Sequence, residues 1–210
     1  MRFFKVNSFI QRYFYRFTWR LNPNEKTIYL SFDDGPHEIA TAQVLDILKQ
    51  YQIKATFFCV GENVNRFPLI MNRIVSEGHS IGNHTFNHLK GWSCPSKEYL
   101  ENVEMAEKSI STYTRTTLFR PPYGRIRKKQ ASEILKKGYK IIMWDILSYD
   151  YDKSINIDYC LKMISQKTRN GSIVVFHDSL KSMAQTSQLL GKYIENMKKR
   201  GFDFKVIEQC

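Results

Sequence analysis

Long apolar segments are missing from this sequence. No run of about 18 apolar residues occurs along the chain, so we expect no transmembrane helix. The N-terminal residues also lack the apolar stretch of roughly 7–15 residues and the small-residue cleavage site of a secretory signal peptide. These absences lead us to expect a protein that is cytoplasmic or peripherally associated with a membrane.

Paired cysteines and nucleic-acid-binding motifs are missing as well. The four cysteines, Cys59, Cys94, Cys160 and Cys210, show no CxxC spacing, and in a chain of 210 residues they do not resemble a disulfide framework. Free thiols favour a reducing compartment. The sequence has no RNP motif, zinc-finger spacing or basic helix-turn-helix pattern, so we expect no nucleic-acid partner.

Positive charge and aromatic side chains are abundant. The formal net charge is +12, and 14% of the residues are aromatic. An excess of cations attracts anionic partners such as acidic polysaccharides, cell-wall polymers or anionic lipids, although solubility alone explains it equally well. The aromatic residues suit a core and also a groove that stacks on sugar rings. The length of 210 residues fits one domain with a full core.

Residues 1–25 form a basic aromatic segment that we expect to be helical, ahead of a single domain over residues 26–210. The first twenty residues carry five Arg or Lys side chains among many aromatic ones. One interpretation is an interfacial helix that contacts an anionic membrane through residues 1–20. The other, which we favour from the sequence, is a helix that packs its aromatic stripe against the domain.

Short apolar runs alternate with segments of helical periodicity along the rest of the chain. In KTIYLSFDD, the apolar side chains of Ile28, Leu30 and Phe32 alternate as in a strand with one face inward. The order of elements predicts an α/β fold with a parallel sheet, which could close into a barrel or stay open. The predicted strands cover 26–34, 55–60, 80–83, 117–119, 139–144, 172–177 and 204–207.

Polar residues that a core does not require follow several of these strands. His84 and His88 have the i, i+4 spacing that places two imidazoles on one side of a helical turn. Asp33 and Asp34 end the first strand, where adjacent side chains point to different sides. Because functional groups gather at the carboxyl ends of parallel strands, two histidines and one aspartate would form a metal site with an open position. The other aspartate would serve as a general base.

His177 ends the predicted strand 172–177 and is either a structural residue or a general acid. A carboxylate at one ring nitrogen would raise its pKa and keep the imidazole protonated near neutral pH. Asp150 could supply that carboxylate. Asp178 is a rival partner because it is adjacent in the sequence.

Five sequence motifs, taken together, resemble those of a known family. SFDDGP, HTFNH, RPPYG, WDILSYDY and VFHD occur in the order and with the intervals of the polysaccharide deacetylase family, which has the NodB homology domain and is carbohydrate esterase family 4. The resemblance spans roughly residues 27 to 207. It implies a distorted parallel (β/α)7 barrel, which matches the seven predicted strands.

The resemblance also implies roles for the acidic residues and histidines. Asp33 would be the catalytic base, and Asp34, His84 and His88 would bind a divalent metal. Zinc is the first choice for such ligands, and Co²⁺ or another first-row ion is an alternative. His177 would protonate the leaving amine.

Further residues take supporting roles by the same resemblance. Arg120 would hold the base, Asp150 would tune the general acid, and the backbone N–H of Tyr123 would stabilise the oxyanion. We expect the Tyr123 side chain and Trp144 to line the substrate site.

The sequence departs from the family pattern around the acetyl pocket. Tyr151 stands where the family often has Trp, and Val175 stands where it often has Leu; both are expected to contact substrate. An Asp that the family commonly has in the fourth motif is missing, with Leu147 near its place.

These features predict a bacterial-type deacetylase that hydrolyses N-acetyl groups of a GlcNAc-containing glycan and releases acetate. Peptidoglycan is favoured over chitin because a basic protein suits an anionic wall. One alternative is an O-acetyl esterase acting on acetylated xylan, and another is a deacetylase of a lipid-linked sugar. A third is a non-catalytic module that binds glycan or metal.

Overall fold

The computed structural model describes residues 2–209 and contains one sheet of parallel strands. The hydrogen-bonded order is β5-β4-β3-β2-β1-β7-β6, with β8 added beside the start of β1. These seven strands curl into a half-barrel, which confirms the predicted α/β fold. The strands are β1 (Thr27–Asp33), β2 (Thr56–Cys59), β3 (Ser80–Asn83), β4 (Leu118–Phe119), β5 (Lys140–Ile141), β6 (Ile146–Leu147), β7 (Ile173–His177) and β8 (Asp203–Phe204).

Helices connect the strands and cover the sheet. Those between successive strands provide the long crossovers that parallel pairing requires. The α-helices are α1 (Ser8–Tyr13), α2 (Ala40–Gln50), α3 (Gly61–Arg66), α4 (Pro68–Ser76), α5 (Ser96–Ser111), α6 (Lys128–Lys136), α7 (Ile157–Lys167) and α8 (Met183–Lys199), with short 3-10 helices at Gly91–Ser93 and Pro122–Gly124. None of the helices within residues 2–209 is long and apolar enough to cross a membrane.

The central strand β1 is buried along its whole length, which corrects the prediction of a strand with one face inward. The reason is its position between β2 and β7, where both faces of a parallel sheet are covered. Phe32 stacks on Phe57 of β2 with ring centroids 5.1 Å apart, and it also contacts Phe176 of β7.

The predicted strand 139–144 is shorter in the structure: only Lys140–Ile141 forms a strand, β5, and β6 follows beyond the predicted range at the opposite edge of the sheet. β5 pairs with β4, whereas β6 pairs with β7, so the chain crosses the open side of the half-barrel between them. The carbonyl groups of Ile142 and Met143 accept hydrogen bonds from the Arg120 guanidinium. At these two carbonyl groups, hydrogen bonds from the arginine side chain take the place of hydrogen bonds from a neighbouring strand.

The N-terminal segment lies across that open side. Lys5 forms a bridge with Ile146 of β6, and Thr18 forms a bridge with Ile142 just beyond β5. Phe4 and Trp19 are buried. Within residues 2–25 the helix is confined to the six residues Ser8–Tyr13, whereas we expected the whole segment to be helical. The rest is held by backbone pairing and by two buried aromatic side chains.

The cysteines within the described residues are buried free thiols. They are Cys59, Cys94 and Cys160, and Cys210 lies outside the described residues. Burial raises the pKa of Cys160 to about 12, so this thiol stays protonated at neutral pH.

Candidate active site

Three predicted metal ligands meet at the carboxyl ends of β1 and β3. We call Asp34, His84 and His88 the ligand cluster; their potential ligand atoms all lie within 4.8 Å of one another. Asp34 Oδ1 is 3.1 Å from His88 Nε2 and 3.8 Å from His84 Nε2. Two ligands of a tetrahedral zinc ion, at about 2.1 Å from the metal, are separated by about 3.4 Å. The spacing of the three donors therefore fits one divalent ion.

The hydrogen bonding of His84 also fits a metal ligand. Its Nδ1 is 2.7 Å from the carbonyl oxygen of Arg120, which can only accept, so Nδ1 carries the proton. The lone pair is then on Nε2, the nitrogen that faces Asp34. Burial lowers the pKa of His84 to about 4, so the ring is neutral at physiological pH, as metal binding requires.

The histidine pair lies on an irregular loop, not on a helical turn as the i, i+4 spacing suggested. Thr85 and His88 both have positive φ, at 66° and 59°. Asn83 accepts from the Thr85 N–H, and Asn102 of α5 accepts from the Phe86 N–H. These side chains take the hydrogen bonds that a helix would supply. The two imidazoles are nevertheless adjacent, with ring centroids 5.1 Å apart.

A tight turn after β1 presents Asp34. Its φ is 81°, and Asn63 of α3 donates to its carbonyl oxygen at 2.8 Å. Burial favours the neutral carboxyl, but the hydrogen bond with His88 and the nearby histidine charges outweigh it and hold the pKa of Asp34 well below its ordinary value. Asp34 is thus an ionised carboxylate at neutral pH.

Asp178 supports this turn and does not contact the His177 ring, which excludes it as the rival partner. It accepts from the Gly35 N–H at 3.0 Å and from the Thr41 hydroxyl at 2.6 Å. A Cβ on residue 35 would lie 2.0 Å from the Asp178 carboxylate, so only glycine fits there. Burial raises the pKa of Asp178 to about 7.

Asp33 is fixed by Arg120. The guanidinium donates to Asp33 Oδ1 at 2.6 Å and to the Ser31 hydroxyl at 2.9 Å, and the arginine is fully buried. Its face lies 4.0 Å from the centroid of the Phe58 ring. A buried charge is costly unless it is paired, and this pair holds the Asp33 carboxylate at the edge of the groove.

His177 is fixed by Asp150. Its Nδ1 lies 2.7 Å from Asp150 Oδ1, and its backbone N–H donates to Asp150 Oδ2. Asp150 also accepts from the hydroxyls of Ser148 and Thr186. Burial lowers the pKa of His177, but the charge and hydrogen bond of Asp150, with the nearby Asp34 and Asp33 carboxylates, raise it to about 9. The imidazole is then protonated at neutral pH.

A groove of about 410 Å³ is lined by the ligand cluster and by Asp33 and His177. The side chains predicted to contact substrate, Tyr123, Trp144, Tyr151 and Val175, line it. Tyr123 has a φ of 59°, is 60% exposed and packs against His88 with ring centroids 4.6 Å apart. Gly124 follows it with a φ of 65°, where a Cβ would lie 2.8 Å from Trp144. Glycine therefore permits this loop to approach the groove wall.

Comparison with known proteins identifies the family to which the chain belongs. The family model for polysaccharide deacetylase matches residues 20–142, more than half of the chain. The chain belongs to the polysaccharide deacetylase family. It is similar to a peptidoglycan-N-acetylglucosamine deacetylase of Bacillus cereus, with 35% identity over 195 residues and 91% of each chain covered.

Solved structures of this deacetylase family share the fold. The Bc1960 peptidoglycan N-acetylglucosamine deacetylase, solved with 4-naphthalen-1-yl-N-oxidanyl-benzamide, superposes with a TM-score of 0.89 at 29% identity, covering 96% of this chain and 95% of that one. BA3943 of Bacillus anthracis, described as a CE4 family pseudoenzyme, has a TM-score of 0.81 at 26% identity, covering 90% of this chain and 66% of that one. The fold is therefore shared by a deacetylase and by a protein described as a pseudoenzyme, so the fold alone does not establish activity.

Several residues of this deacetylase groove were missed from the sequence. Lys90, Arg125 and Lys181 line the groove and add positive charge to it. Among so many scattered cations, no pattern marked these three. Two hydroxyl groups that bond to the buried pairs were also missed. The Ser31 hydroxyl accepts from Arg120, and the Thr186 hydroxyl donates to Asp150. Ser31 alternates with the apolar residues of β1, which was a usable signal, whereas Thr186 lies on α8 with no spacing that relates it to Asp150.

Proposed function

We propose that the protein is a metal-dependent deacetylase that hydrolyses N-acetyl groups of a GlcNAc-containing glycan, and that its preferred substrate is peptidoglycan. The observation that carries this proposal is the placement of a ligand cluster, a paired carboxylate and a paired imidazole in one groove. Asp34, His84 and His88 would hold the ion, for which zinc is the first choice among first-row metals. Such an ion supplies Lewis-acid chemistry, since it polarises a carbonyl group and lowers the pKa of water.

Asp33 and His177 are proposed to transfer the protons. Asp33 would act as the base that takes a proton from the attacking water, and Arg120 would keep the carboxylate oriented. His177 would donate its proton to the departing nitrogen. The backbone N–H of Tyr123 would contribute to the oxyanion site, where one donor is commonly worth about 3 kcal/mol.

The protonation state of His177 supports an amide substrate over an ester. An amine anion is a very poor leaving group, so amide cleavage needs a proton donor at the departing nitrogen. The pKa of His177 is raised to about 9, so the donor is charged across the physiological range. An alkoxide leaves more readily, so an O-acetyl esterase would depend less on this residue.

The positive rim of the groove supports peptidoglycan over neutral glycans. Lys90, Arg125 and Lys181 line the groove where the glycan would lie, and peptidoglycan carries the carboxylates of its stem peptides on the same glycan strand as its acetamido groups. Lys181 also lies over the Tyr151 ring at 5.5 Å. The relative in Bacillus cereus is named for the same glycan.

An acetate-release screen tests the proposal directly. Zinc-loaded protein would be assayed on soluble peptidoglycan fragments, chitooligosaccharide and acetylxylan, with Co²⁺-loaded protein in parallel. We expect the highest kcat/KM on peptidoglycan and a far larger loss from His177→Ala on amide substrates than on acetylxylan. Faster hydrolysis of acetylxylan, with a mild His177→Ala effect, would assign the O-acetyl esterase instead.

A set of rim substitutions tests the choice of glycan. The variant Lys90→Gln/Arg125→Gln/Lys181→Gln should lose activity on peptidoglycan and keep it on chitooligosaccharide. Lys49→Gln/Lys192→Gln/Lys199→Gln is the matched control, because it removes the same charge from α2 and α8. Equal losses in both variants would show that net charge alone explains the preference.

A non-catalytic glycan-binding module is the second candidate, because a pseudoenzyme shares this fold. Asp33→Asn should abolish acetate release while leaving glycan binding within about twofold of the wild type. If the wild-type protein binds these glycans but releases no acetate from any of them with zinc or cobalt, the module is the correct assignment.

A further inference from the structure

Aromatic side chains of the N-terminal segment remain exposed although the segment itself is anchored. Phe9, Tyr13 and Tyr15 are 81%, 66% and 80% exposed. Phe9 and Tyr13 are four residues apart on α1, so they lie on the same side of that helix. Large exposed aromatic clusters on a folded chain mark an interaction site rather than a packing one.

A shallow apolar groove continues this cluster toward α6. It has a volume of about 250 Å³ and lies between residues 13–17 and residues 126–135. Tyr13 packs edge-on against Phe14, which stacks on Phe17. Tyr13 and Tyr15 line this groove, so the groove is continuous with the exposed rings. We call Phe9, Tyr13, Tyr15 and this groove the aromatic surface.

The charged side chains that line the groove of the aromatic surface are all positive. Residues 2–20 contain no acidic side chain, and the one acidic residue of the range 126–135, Glu133, does not line the groove and pairs with Lys136. Arg16 and Lys128 line the groove, and Arg12 lies on α1 between the exposed rings. Within residues 2–209 no carboxylate forms an ion pair with any of these three cations, and Lys128 lies over the Tyr13 ring at 5.8 Å.

We propose that the aromatic surface binds the surface of an anionic lipid bilayer. Aromatic rings are favoured at the boundary between lipid headgroups and acyl chains, and unpaired cations beside them are attracted to anionic headgroups. Both features coincide here. An anionic polysaccharide would pair with the cations and stack on the face of a ring, whereas the acyl-chain boundary of a bilayer surrounds a ring that protrudes, as Phe9 does at 81% exposed.

The aromatic surface lies next to the candidate active site. The segment 125–128 joins the two grooves, because Arg125 lines the active-site groove while Arg127 and Lys128 line the aromatic one. A bilayer bound at the aromatic surface would therefore lie beside the entrance of the active site. The binding proposal itself is independent of the proposed enzymatic function.

Vesicle co-sedimentation of the full chain tests the proposal. The vesicles would contain either equal amounts of phosphatidylglycerol and phosphatidylcholine or phosphatidylcholine alone. Removal of residues 2–20 is unsuitable because Phe4 and Trp19 are buried and would leave the open side of the half-barrel uncovered. The aromatic variant is instead Phe9→Ser/Tyr13→Ser/Tyr15→Ser, and the charge variant is Arg12→Gln/Arg16→Gln/Lys128→Gln.

We expect binding to the anionic vesicles and at least a tenfold weaker affinity for the neutral ones. Each cation near an anionic surface strengthens binding roughly fivefold, so the charge variant should lose more than tenfold. The aromatic variant should also lose at least tenfold, and the control Lys49→Gln/Lys192→Gln/Lys199→Gln should lose less than threefold. Unchanged thermal unfolding of each variant shows that the fold is retained.

Three results would overturn the proposal. The first is no sedimentation of the wild-type protein with anionic vesicles. The second is an equal loss in the charge variant and the control, which would reduce the effect to net charge. The third is full binding by the aromatic variant, which would assign the cations to a soluble polyanion instead of a bilayer.

Discussion

The ligand cluster lines the same groove as Asp33 and His177, the exposed members of two acid–base pairs, but the cluster and the pairs are built in opposite ways. Asp34 and His88 come from loop positions with positive φ, and Asp34 has His88 at 3.1 Å as its nearest ionisable contact. Asp33 and His177, by contrast, each have a buried partner of opposite charge, Arg120 and Asp150, at 2.6 and 2.7 Å.

The two kinds of group differ in whether the protein itself supplies the opposite charge or a bound ion would supply it. The acid–base pairs are neutralised within the chain, so their geometry should persist without metal. The ligand cluster gathers three donors at close range, and within residues 2–209 no Lys or Arg forms an ion pair with Asp34, an arrangement that a divalent ion would stabilise. Substitutions on the two sides should therefore have different consequences for metal content and for proton transfer.

Substitutions in the ligand cluster should have the largest effect. His84→Ala removes a donor, so we expect bound zinc to fall from about one equivalent to nearly none and kcat/KM to fall by more than ~100-fold. Metal content by atomic emission and acetate release would be measured on the same samples. His37→Asn is the matched control, since His37 lies near the turn but outside the cluster. Normal metal content in His84→Ala would contradict the assignment.

Removal of the proposed base should abolish activity without removing metal. Asp33→Asn keeps the shape of the side chain but not its basicity, so kcat should fall by about 10²–10⁴-fold. Zinc content should stay at one equivalent, because Asp33 is paired with Arg120 and lies outside the ligand cluster. Loss of metal in this variant would show that the two aspartates have exchanged roles.

The pH dependence should distinguish the acid from the rest of the site. His177 is protonated below its pKa of about 9, so activity should fall as the pH rises through that value. Asp150→Asn removes the negative charge that favours the protonated ring, so the alkaline limb should move to lower pH. The pH profile of kcat for both proteins would measure this shift, and an unmoved limb would assign it to another group.

The smallest effect is expected at Thr186, which orients Asp150 from α8. Thr186→Val keeps the shape but removes one hydrogen bond to the Asp150 carboxylate, a kind worth about 1.5–3 kcal/mol. The bonds from Ser148 and from the ring and backbone of His177 remain, so kcat should fall only severalfold with KM unchanged. Ser187→Ala, on the exposed side of the same helix, should leave kcat unchanged. A loss in KM alone for Thr186→Val would argue against a positioning role.

Much of this arrangement could be predicted because parallel strands bring their carboxyl ends to one edge. Asp33, His84 and His177 each lie at or just after the end of a predicted strand, and the structure places all three beside one groove. The motif pattern also predicted a distorted parallel (β/α)7 barrel, and the structure shows seven parallel strands curled into a half-barrel. Both predictions depend on patterns within short stretches of the sequence, which form the same strands in the folded protein.

Features that depend on distant parts of the chain were not predictable. The histidine loop is shaped by Asn102 of α5, so the i, i+4 spacing suggested a helix that is not there. The interruption between β5 and β6 depends on Arg120, which occupies the carbonyl groups of that segment. The contact of Lys5 with β6 likewise joins residues more than a hundred positions apart, for which no local pattern exists.

Metal titration coupled to acetate release tests the central claim most directly. Chelator-treated protein would be refilled with zinc in steps, and acetate release from a GlcNAc-containing glycan would be measured at each step. The wild-type protein should regain activity in proportion to zinc and reach a plateau at one equivalent, whereas Asp34→Asn should neither bind the ion tightly nor regain activity. Full activity of the wild-type protein after metal removal, or a plateau reached equally by Asp34→Asn, would contradict the assignment of this cluster as the catalytic metal site.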